Sequence, residues 1–376
     1  MSKEDLLWAL SPMFTINALT GIPVNRYASS RSKIIAACNF FGYTILFCFS
    51  SSVALCTAIA VKFYEFHLDL AVIVNLFWSA IILFTTSLSG YAHFLRKKQV
   101  TDMYLDLSQL EEHSAGIFAA KRIRTVVKIQ SAVLIVNTVN LIALALVSEN
   151  ANVDRSFFSI QTPLLLFWTT VHMEQEWQFY NVLFLLLGCV RSENEKIKVL
   201  LEMETSNPRK EYFTRHIPRL KSLLLDSHNI YRSAERIYGV PNVVVGLETL
   251  LSLSFLLYSI FDPRIFEYGT DWNAATMWSS LFWMLSGFFV LAFVASANYQ
   301  LMKEVERTEK LVIDAMLKVE DYPLRRELRL FALQLLHTPF RSSACGFFPL
   351  DLTLFTSMMA TVVTYLVILV QFKSSE

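Results

Sequence analysis

The sequence predicts an all-α membrane protein that crosses the bilayer seven times. Of its 376 residues, 54% are hydrophobic and only 17% are charged, and long apolar runs alternate with charged stretches. A soluble domain of this size carries about 25% charged residues. The composition therefore excludes a soluble enzyme, a disordered chain and a secreted disulfide scaffold. The net charge of +1 gives no support for a nucleic-acid partner.

Seven stretches are long and apolar enough to be spans, because a span needs roughly 20 apolar residues at about 1.5 Å each. They are Ile34–Val61, Leu70–Phe94, Ile129–Val147, a part of Phe157–Val190, Asn242–Phe261, Ala274–Tyr299 and Leu350–Phe372. The fourth would be about 51 Å long as a helix, against a hydrocarbon core of ~30 Å. We expect that helix to tilt and to project into water. We expect no cleavable signal peptide, because the first apolar run starts late and is long.

The positive charges set the orientation. Of the 33 Lys and Arg, 29 fall in the N-terminal tail and in segments 95–128, 191–240 and 299–345, which all lie on one side. Positively charged loops stay in the cytoplasm. The N-terminus is therefore predicted to be cytoplasmic and the C-terminus extracellular, with residues 1–376 forming a single seven-span domain.

The inner segments have helical patterns of their own. After the sixth span, apolar and small residues recur at spacings of 4-3-4-3-4, which is a heptad seam: Leu301, Val305, Thr308, Val312, Ala315 and Val319. Asp321-Tyr-Pro323 should end this helix. A second amphipathic run follows, with one apolar face made of Leu324, Leu328, Phe331 and Leu335.

Two further inner helices are predicted at Ser192–Glu204 and Glu211–Tyr238, the second ending near Gly239–Pro241. We predict that segments 191–240 and 299–345 form a packed cytoplasmic anchor bundle built from extensions of spans four, five and six. Independent surface helices are the alternative, but a sustained apolar stripe favours burial. A seam of this kind can also join subunits.

The last span has an ordered set of polar positions. Thr353, Ser357, Thr361, Thr364 and Gln371 fall within an arc of roughly 80° on a helix, with Ile368 inside the arc and Tyr365 and Phe372 beside it. Such a stripe is typical of a helix that faces a narrow water path, which predicts a pore-lining helix over 350–372. The alternative is structural, because Ser and Thr also bond their own helix carbonyls and small residues suit helix contacts. One helix cannot enclose a pore, so copies from several subunits would surround it.

No Asp or Glu lies between Thr353 and Phe372, so a strong charge ring is absent from this helix sequence. We expect weak discrimination among cations, with any preference set by amide, hydroxyl and carbonyl oxygens.

Two segments near the end of the chain resemble those of insect gustatory receptors. Thr364-Tyr365, five hydrophobic residues and Gln371-Phe372 match the signature of that family, and Ala344-Cys-Gly-Phe-Phe-Pro-Leu-Asp351 is similar to its lead-in to the last helix. The seven spans and the inward N-terminus agree with the family architecture. The detailed match covers roughly the last 45 residues.

The resemblance implies a fold shared with insect odorant receptors and a tastant-gated, non-selective cation channel in the plasma membrane of sensory neurons. It implies a homotetramer, or a heteromer with related subunits, whose last helices line a central pore. Gln371 and Phe372 would form the outer constriction, with Tyr365 and Thr364 deeper. The implied partners are a small-molecule tastant, the conducted cations and membrane lipid. No cofactor and no metal site is expected.

Two alternatives stay open: a G-protein-coupled-type chemoreceptor without its own pore, and an odorant-receptor-type channel. The inward N-terminus and the missing Asp-Arg-Tyr and Asn-Pro-x-x-Tyr motifs argue against the first. An intramembrane enzyme is not expected, because no His-Glu-x-x-His or Gly-x-Ser-x-Gly pattern occurs.

The outer halves of the spans within 34–299 are the expected ligand-binding part. Their candidate residues are aromatic or carry an amide: Asn75, Trp78, Asn137, Asn140, Gln161, Trp168, Tyr258, Trp278 and Trp283. Apolar walls with a few amides suit a small neutral organic molecule, such as a sugar or a bitter compound. Each Trp taken singly is more simply an interfacial or packing residue.

Four ionisable residues sit within or at the edges of the predicted spans: His172, Glu174, Glu176 and Glu248. A charge at mid-bilayer costs about 3 kcal/mol, so these groups should face the protein interior or a wet cavity. His172, Glu174 and Glu176 could couple a pocket to the inner bundle. We expect Glu176 to lie near the inner interface and to be solvated. Asp351 is expected to stabilise the start of the last helix.

Overall fold

The computed structural model describes residues 3–19, 32–64, 70–113, 120–148, 155–202, 206–261, 274–341 and 343–374. These residues form ten helices: α1 Lys3–Leu19, α2 Ser32–Tyr64, α3 Leu70–Leu95, α4 Lys97–His113, α5 Ala120–Ser148, α6 Arg155–Glu202, α7 Ser206–Phe261, α8 Ala274–Lys318, α9 Tyr322–His337 and α10 Thr353–Ser374. A short antiparallel hairpin of β1 Ser343–Ala344 and β2 Phe348–Pro349 joins α9 to α10.

Seven helices contain the predicted spans, in the order α2, α3, α5, α6, α7, α8 and α10. The predicted all-α, seven-span fold is thus confirmed. Two stretches with described side chains, Arg215–Ser254 in α7 and Leu285–Lys318 in α8, are each long and apolar enough to cross a membrane. The fourth span lies in one unbroken helix of 48 residues, α6, which is about 72 Å long.

The inner parts of α6, α7 and α8 pack together with α9. Every residue of the heptad seam on α8 is buried, and so is the predicted apolar face of α9. The chain turns between Lys318 and Tyr322, where Asp321-Tyr-Pro323 was expected to break the helix. The predicted packing of the seam is therefore confirmed.

The predicted helix end near Gly239–Pro241 is wrong, because α7 continues through this segment to Phe261. Pro241 has no N–H, so the carbonyl of Ile237, four residues earlier, loses its helical donor. The Arg96 side chain supplies donors instead: its Nη1 lies 2.7 Å from the Arg236 carbonyl oxygen and 3.2 Å from that of Ile237. A side chain from the turn between α3 and α4 therefore compensates for the proline.

Two helices outside the spans were not predicted. Helix α1 packs on α5, and α4 packs on α7. The buried side chains of α4 recur at helical spacing: Val100, Met103, Tyr104, Leu107 and Leu110. This amphipathic period is present in segment 95–128, so the pattern was available in the sequence. Helices α1 and α4 are thus part of the packed inner bundle.

A polar network joins α6 to α8 in the inner bundle. The fully buried Asn194 donates to the Glu304 carbonyl oxygen at 2.8 Å and to its carboxylate at 3.1 Å, and it accepts the Thr308 hydroxyl proton at 2.7 Å. Arg191 donates to the same carboxylate at 3.0 Å. Burial raises the pKa of Glu304, but the bonds from Asn194 and Arg191 and the charges of Arg191 and Arg307 outweigh burial and lower it overall.

This lowered pKa predicts a loss of stability in acid. The ordinary pKa of a glutamate is 4.5. Glu304 contributes fully to the free energy of unfolding when the pH is above that value. This contribution is lost as the pH falls through the lower pKa of the folded state. When the pH is lowered below about 4.5, we expect the thermal unfolding midpoint of the purified protein to decrease. The decrease should be smaller in the Glu304→Gln variant. The exposed Glu306→Gln variant controls for the loss of one carboxylate, and identical pH curves for the two variants would contradict the prediction.

Candidate functional site

Helix α10 has three distinct faces. Leu354, Met358 and Val362 form one face and are buried, where the helix packs on α7. A second face is exposed and mostly apolar, with Met359, Val363 and Val367 beside one threonine, Thr356. Exposed apolar side chains on a spanning helix suit contact with lipid. The third face is the remaining surface through which this helix can contact water or another subunit.

The third face is the predicted polar stripe. Thr353, Ser357, Thr364 and Gln371 are exposed in the single subunit and Thr361 is half-buried. At 100° per residue, this face lies between the other two, about 20° from the edge of the buried face and about 40° from the edge of the exposed apolar one. Polar groups in hydrocarbon are costly unless they are paired. The stripe is therefore better suited to water or to a neighbouring subunit than the exposed apolar face is.

The stripe hydroxyls donate to their own helix. Ser357 Oγ lies 3.1 Å from the Thr353 carbonyl oxygen, Thr361 Oγ1 lies 2.9 Å from that of Ser357, and Thr364 Oγ1 lies 2.8 Å from that of Ala360. This is the bonding that the structural alternative expected. Because each hydroxyl proton is directed at a carbonyl, the lone pairs of the hydroxyl oxygens are left for other partners. The stripe is thus a row of hydrogen-bond acceptors.

The two ends of α10 differ in what can be described. At the inner end, Asp351 Oδ1 accepts the Thr353 N–H at 2.9 Å, which caps the helix as expected. The helix itself continues to Ser374. The side chains of Tyr365, Ile368 and Phe372 lie outside the described residues, so their predicted places in the pore stay predictions.

A small cavity lies among α6, α7 and α8, with polar groups in a mostly apolar wall. Its volume is about 30 Å³, and it is lined by Thr169, His172, Met173, Val245, Glu248, Thr249, Ser252 and Gly287. A cavity of this volume has room for about one or two water molecules. It is too small for a sugar or another organic ligand as it stands, since ligand sites occupy ~300–1,000 Å³.

His172 joins three helices at this cavity. Ser89 Oγ on α3 donates to Gln175 Oε1 at 2.8 Å, so it accepts the Nδ1–H of His172 at 3.2 Å. His172 Nε2 lies 3.8 Å from the Glu248 carboxylate on α7, which is an ion-pair distance but too long for a direct hydrogen bond. His172 is therefore oriented by α3 and faces α7.

The expectation that Glu176 is solvated is wrong. Glu176 is fully buried, and its carboxylate oxygens have no hydrogen-bond partner among the described residues. Glu174 is also buried. The fourth span turns these side chains into the helix bundle, where α3, α7 and α8 surround α6. The ionisable residues of this span thus face the protein interior, as the cost of a charge in lipid requires.

Three of the ligand-binding candidates have described side chains. Trp168 is completely buried: its Nε1 donates to Ser50 Oγ at 2.8 Å, and its ring packs against Gly90. Asn137 is buried and Asn140 is half-buried, both on α5. None of the three lines the cavity. The side chains of the others lie outside the described residues: Asn75, Trp78, Gln161, Tyr258, Trp278 and Trp283.

Comparison with known families decides the affiliation of this fold. A family model described as 7tm chemosensory receptor matches residues 10–376. The chain belongs to the 7tm chemosensory receptor family. The resemblance to insect gustatory receptors that the last helix suggested is thereby confirmed.

Curated relatives of this 7tm chemosensory receptor come from Drosophila melanogaster. It is 28% identical over 161 residues to gustatory receptor for sugar taste 43a, covering 42% of this chain and 36% of the relative. It is 30% identical over 138 residues to gustatory and pheromone receptor 39a, isoform D, covering 36% of this chain and 35% of the relative. The matched regions thus span about a third of these relatives' length.

A solved structure shares the fold of this receptor. The insect olfactory receptor OR5 from Machilis hrabei, determined in complex with eugenol, superposes with a TM-score of 0.58 at 12% sequence identity. The alignment covers 98% of this chain and 100% of that chain. At this identity the likeness concerns the fold alone.

Several polar residues of the receptor's interior were not selected from the sequence. Thr249 and Ser252 follow Glu248 on one face of α7, and Thr169 precedes His172 by three residues on α6. Ser252 lies three and four residues after Thr249 and Glu248, and Thr169 lies three before His172, so each set shares one side of its helix. The signal was therefore a helical period of small polar residues within an apolar span. This period alone does not identify a cavity, because Thr and Ser are common in membrane spans.

Proposed function

We propose that this receptor is a ligand-gated cation channel whose pore is lined by α10 from neighbouring subunits. The observation that supports this most is the arrangement of the three faces of α10. One face packs within the subunit, one is apolar and suited to lipid, and the third is polar and exposed. The stripe hydroxyls are paired with their own helix carbonyls, but their oxygen lone pairs are better matched by water or by a protein neighbour than by lipid. A central water path bordered by several copies of the helix provides both.

Cation conduction is supported by the chemistry of the stripe. Hydroxyl oxygens with their protons directed inward present lone pairs, which stabilise cations and disfavour anions. Gln371 adds an amide at the outer end, and no carboxylate interrupts the helix between Thr353 and Phe372. We therefore propose weak discrimination among monovalent cations.

Assembly into a homotetramer, or with related subunits, is supported by apolar surface outside the spans. On the inner side, α9 buries one face and exposes Leu330, Leu333 and Leu336 on the other, and Phe347 at the tip of the hairpin is 78% exposed. Large apolar groups exposed to water mark protein contacts. A second copy of the chain is the proposed partner for this surface.

A small neutral organic tastant is the proposed ligand, bound in the outer half of the helical bundle. Among the relatives, one is named a receptor for sugar taste, so sugars are the first class to test. The mostly apolar outer halves of the spans, with their amides, support this ligand chemistry. Sensory neurons are the proposed site of expression.

Single cysteines at 357 and 361 test the pore. A hydrophilic methanethiosulfonate reagent with a fixed positive charge should react with Ser357→Cys and Thr361→Cys while a saccharide panel is applied, and it should reduce the whole-cell cation current. The reason is that only a wet face allows such a reagent to approach. Val363→Cys, on the exposed apolar face, is the matched control and should not react.

The exposed native thiols Cys48, Cys56 and Cys345 are replaced by serine in the background used for all three variants. Equal reactivity at 361 and 363, or none at 357 and 361 during stimulation, would overturn the pore proposal. Ligand responses that vanish when G proteins are blocked would favour a receptor without its own pore.

A further inference from the structure

The hairpin before α10 lies directly on the backbone of α7. A Cβ at Gly239 would lie 2.9 Å from Cys345 Sγ, and one at Gly246 would lie 2.6 Å from Cζ of Phe348. The two glycines are seven residues apart, so they share one face of the helix. Larger residues would hold the hairpin away. The turn itself contains Cys345 and Gly346, both with positive φ.

Glu235 fixes the other end of the hairpin. Its Oε1 accepts the Ser343 N–H at 3.0 Å and lies 3.4 Å from the Ser343 hydroxyl. Its Oε2 accepts from Arg232 at 2.7 Å. Three successive positions along α7, namely 235, 239 and 246, therefore hold the segment that leads into α10.

A buried chain of hydrogen bonds then reaches the start of α10. Asn298 Nδ2 on α8 donates to the Leu350 carbonyl oxygen at 2.6 Å, and the Tyr231 hydroxyl on α7 donates to Asn298 Oδ1 at 2.8 Å. Asn298 is 1% exposed, and Tyr231 and Leu350 are 0% exposed. Buried hydrogen bonds in a low-dielectric interior are stronger than those at a surface, and linked ones reinforce each other.

The same two helices, α7 and α8, border the small cavity beside His172. Helix α7 contributes Val245 and Glu248 to the cavity and Tyr231 to the chain of bonds, and α8 contributes Gly287 and Asn298. Both helices are continuous between these positions. The cavity and the carbonyl of Leu350, three residues before α10 begins, are therefore joined through the same pair of helices.

We propose that the Tyr231–Asn298–Leu350 chain holds the inner end of α10 in its ligand-free arrangement, with Asn298 as a positioning residue for channel opening. This inference rests on the proposed channel function. Asn298 is the central member because it alone contacts both of the other residues. Its amide matches the demand for one donor and one acceptor, which a leucine of similar volume cannot meet.

Removal of the central amide should favour opening. We expect Asn298→Leu to raise the ligand-free cation current about tenfold per surface receptor, which corresponds to about 1.4 kcal/mol, while the unitary conductance stays at the parental value. Tyr231→Phe removes only the hydroxyl and keeps the bond to Leu350, so we expect a smaller rise in the same direction. The double variant should behave like Asn298→Leu, because the two bonds belong to one chain.

Tyr238→Phe is the matched control. Tyr238 is also a fully buried tyrosine of α7, and its hydroxyl donates to Gln178 Oε1 at 3.0 Å, away from α10. It should leave the ligand-free current unchanged. An unchanged or lower current in both Asn298→Leu and Tyr231→Phe overturns the proposal, and so does an equal rise in Tyr238→Phe. If Asn298→Leu fails to fold, the ligand-free currents of Tyr231→Phe and Tyr238→Phe are compared instead. A rise in Tyr231→Phe alone supports the proposal, and no difference between the two overturns it.

A second measurement separates this inference from the channel proposal. The rate at which a polar biotin–maleimide labels Ser357→Cys in inside-out membrane vesicles is measured without any ligand and without recording current. Faster labelling in the Tyr231→Phe background supports the role of the chain even if no current is found, in which case the channel proposal alone fails. Parental current with unchanged labelling overturns the role of the chain alone.

Discussion

Substitution of Gln371 by arginine is expected to abolish most of the inward cation current. Gln371 is exposed on the polar stripe and lies near the outer end of α10. A guanidinium about 4 Å from a passing cation repels it by about 4 kcal/mol at an effective dielectric constant of 20. An energy of about 1.4 kcal/mol changes an equilibrium constant tenfold. A repulsion only about one third as strong should therefore still reduce the current about tenfold. The measurement is whole-cell current per surface receptor, quantified by antibody labelling.

Gln371→Glu provides the opposite charge at the same position. It should retain the current and raise the permeability of Ca²⁺ relative to Na⁺, because a carboxylate stabilises a divalent cation more strongly. Gln371→Met keeps the length of the side chain and tests the amide alone. If arginine and glutamate leave the current–voltage relation and ion preference equal to those of the parent, residue 371 does not border the conduction path.

Truncation of Trp168 is expected to destabilise the whole receptor. The ring is fully buried, makes edge contacts with Tyr43 and Phe167, and leaves no room for a Cβ at Gly90, where the ring carbons would lie 2.4 and 2.5 Å away. Loss of a buried Trp typically costs about 3–5 kcal/mol. Trp168→Ala should therefore lower the thermal unfolding midpoint and the amount of receptor at the cell surface.

Trp8→Ala is the control for Trp168→Ala. Trp8 is 48% exposed and contacts the Arg124 guanidinium, so its loss should have a much smaller effect. One outcome would favour the expectation from the sequence that Trp168 binds ligand. Normal unfolding of Trp168→Ala, together with a shifted dose response to an active saccharide, would place the ring in the binding site.

The fold was most predictable where a repeated pattern favoured one physical explanation over the others. The heptad seam on α8 favoured burial over independent surface helices, and burial is what its residues show. The end of α7 was not predictable from Gly239 and Pro241, because the donor that replaces the missing N–H comes from Arg96, more than 140 residues earlier. Local sequence rules do not contain a partner so distant along the chain.

The candidate site was predictable to a smaller extent. Period and polarity located the stripe on α10, since a helix has a fixed angle per residue. The same rules did not place Glu176, because the stretch Phe157–Val190 is longer than the hydrocarbon core, and a glutamate within it is compatible both with a solvated interface and with a buried core. Trp168 was uncertain for a similar reason: a sequence does not show whether an indole lines a cavity or fills one. Only the neighbouring Gly90 and Ser50 distinguish the two.

The pairing of α6 with α8 has a mechanical consequence. The bonds of Arg191 and Asn194 join the two helices, and Lys318 at the end of α8 donates to the Leu201 carbonyl oxygen near the end of α6 at 3.1 Å. Two helices bonded to each other at these inner positions resist sliding past each other, so we expect them to move together as one lever. For a rod about 72 Å long, a swing of about 3° around its midpoint moves each tip by about 2 Å. A small rotation caused by ligand binding at one end of the pair would thus move the other end by a distance comparable to the radius of a water molecule.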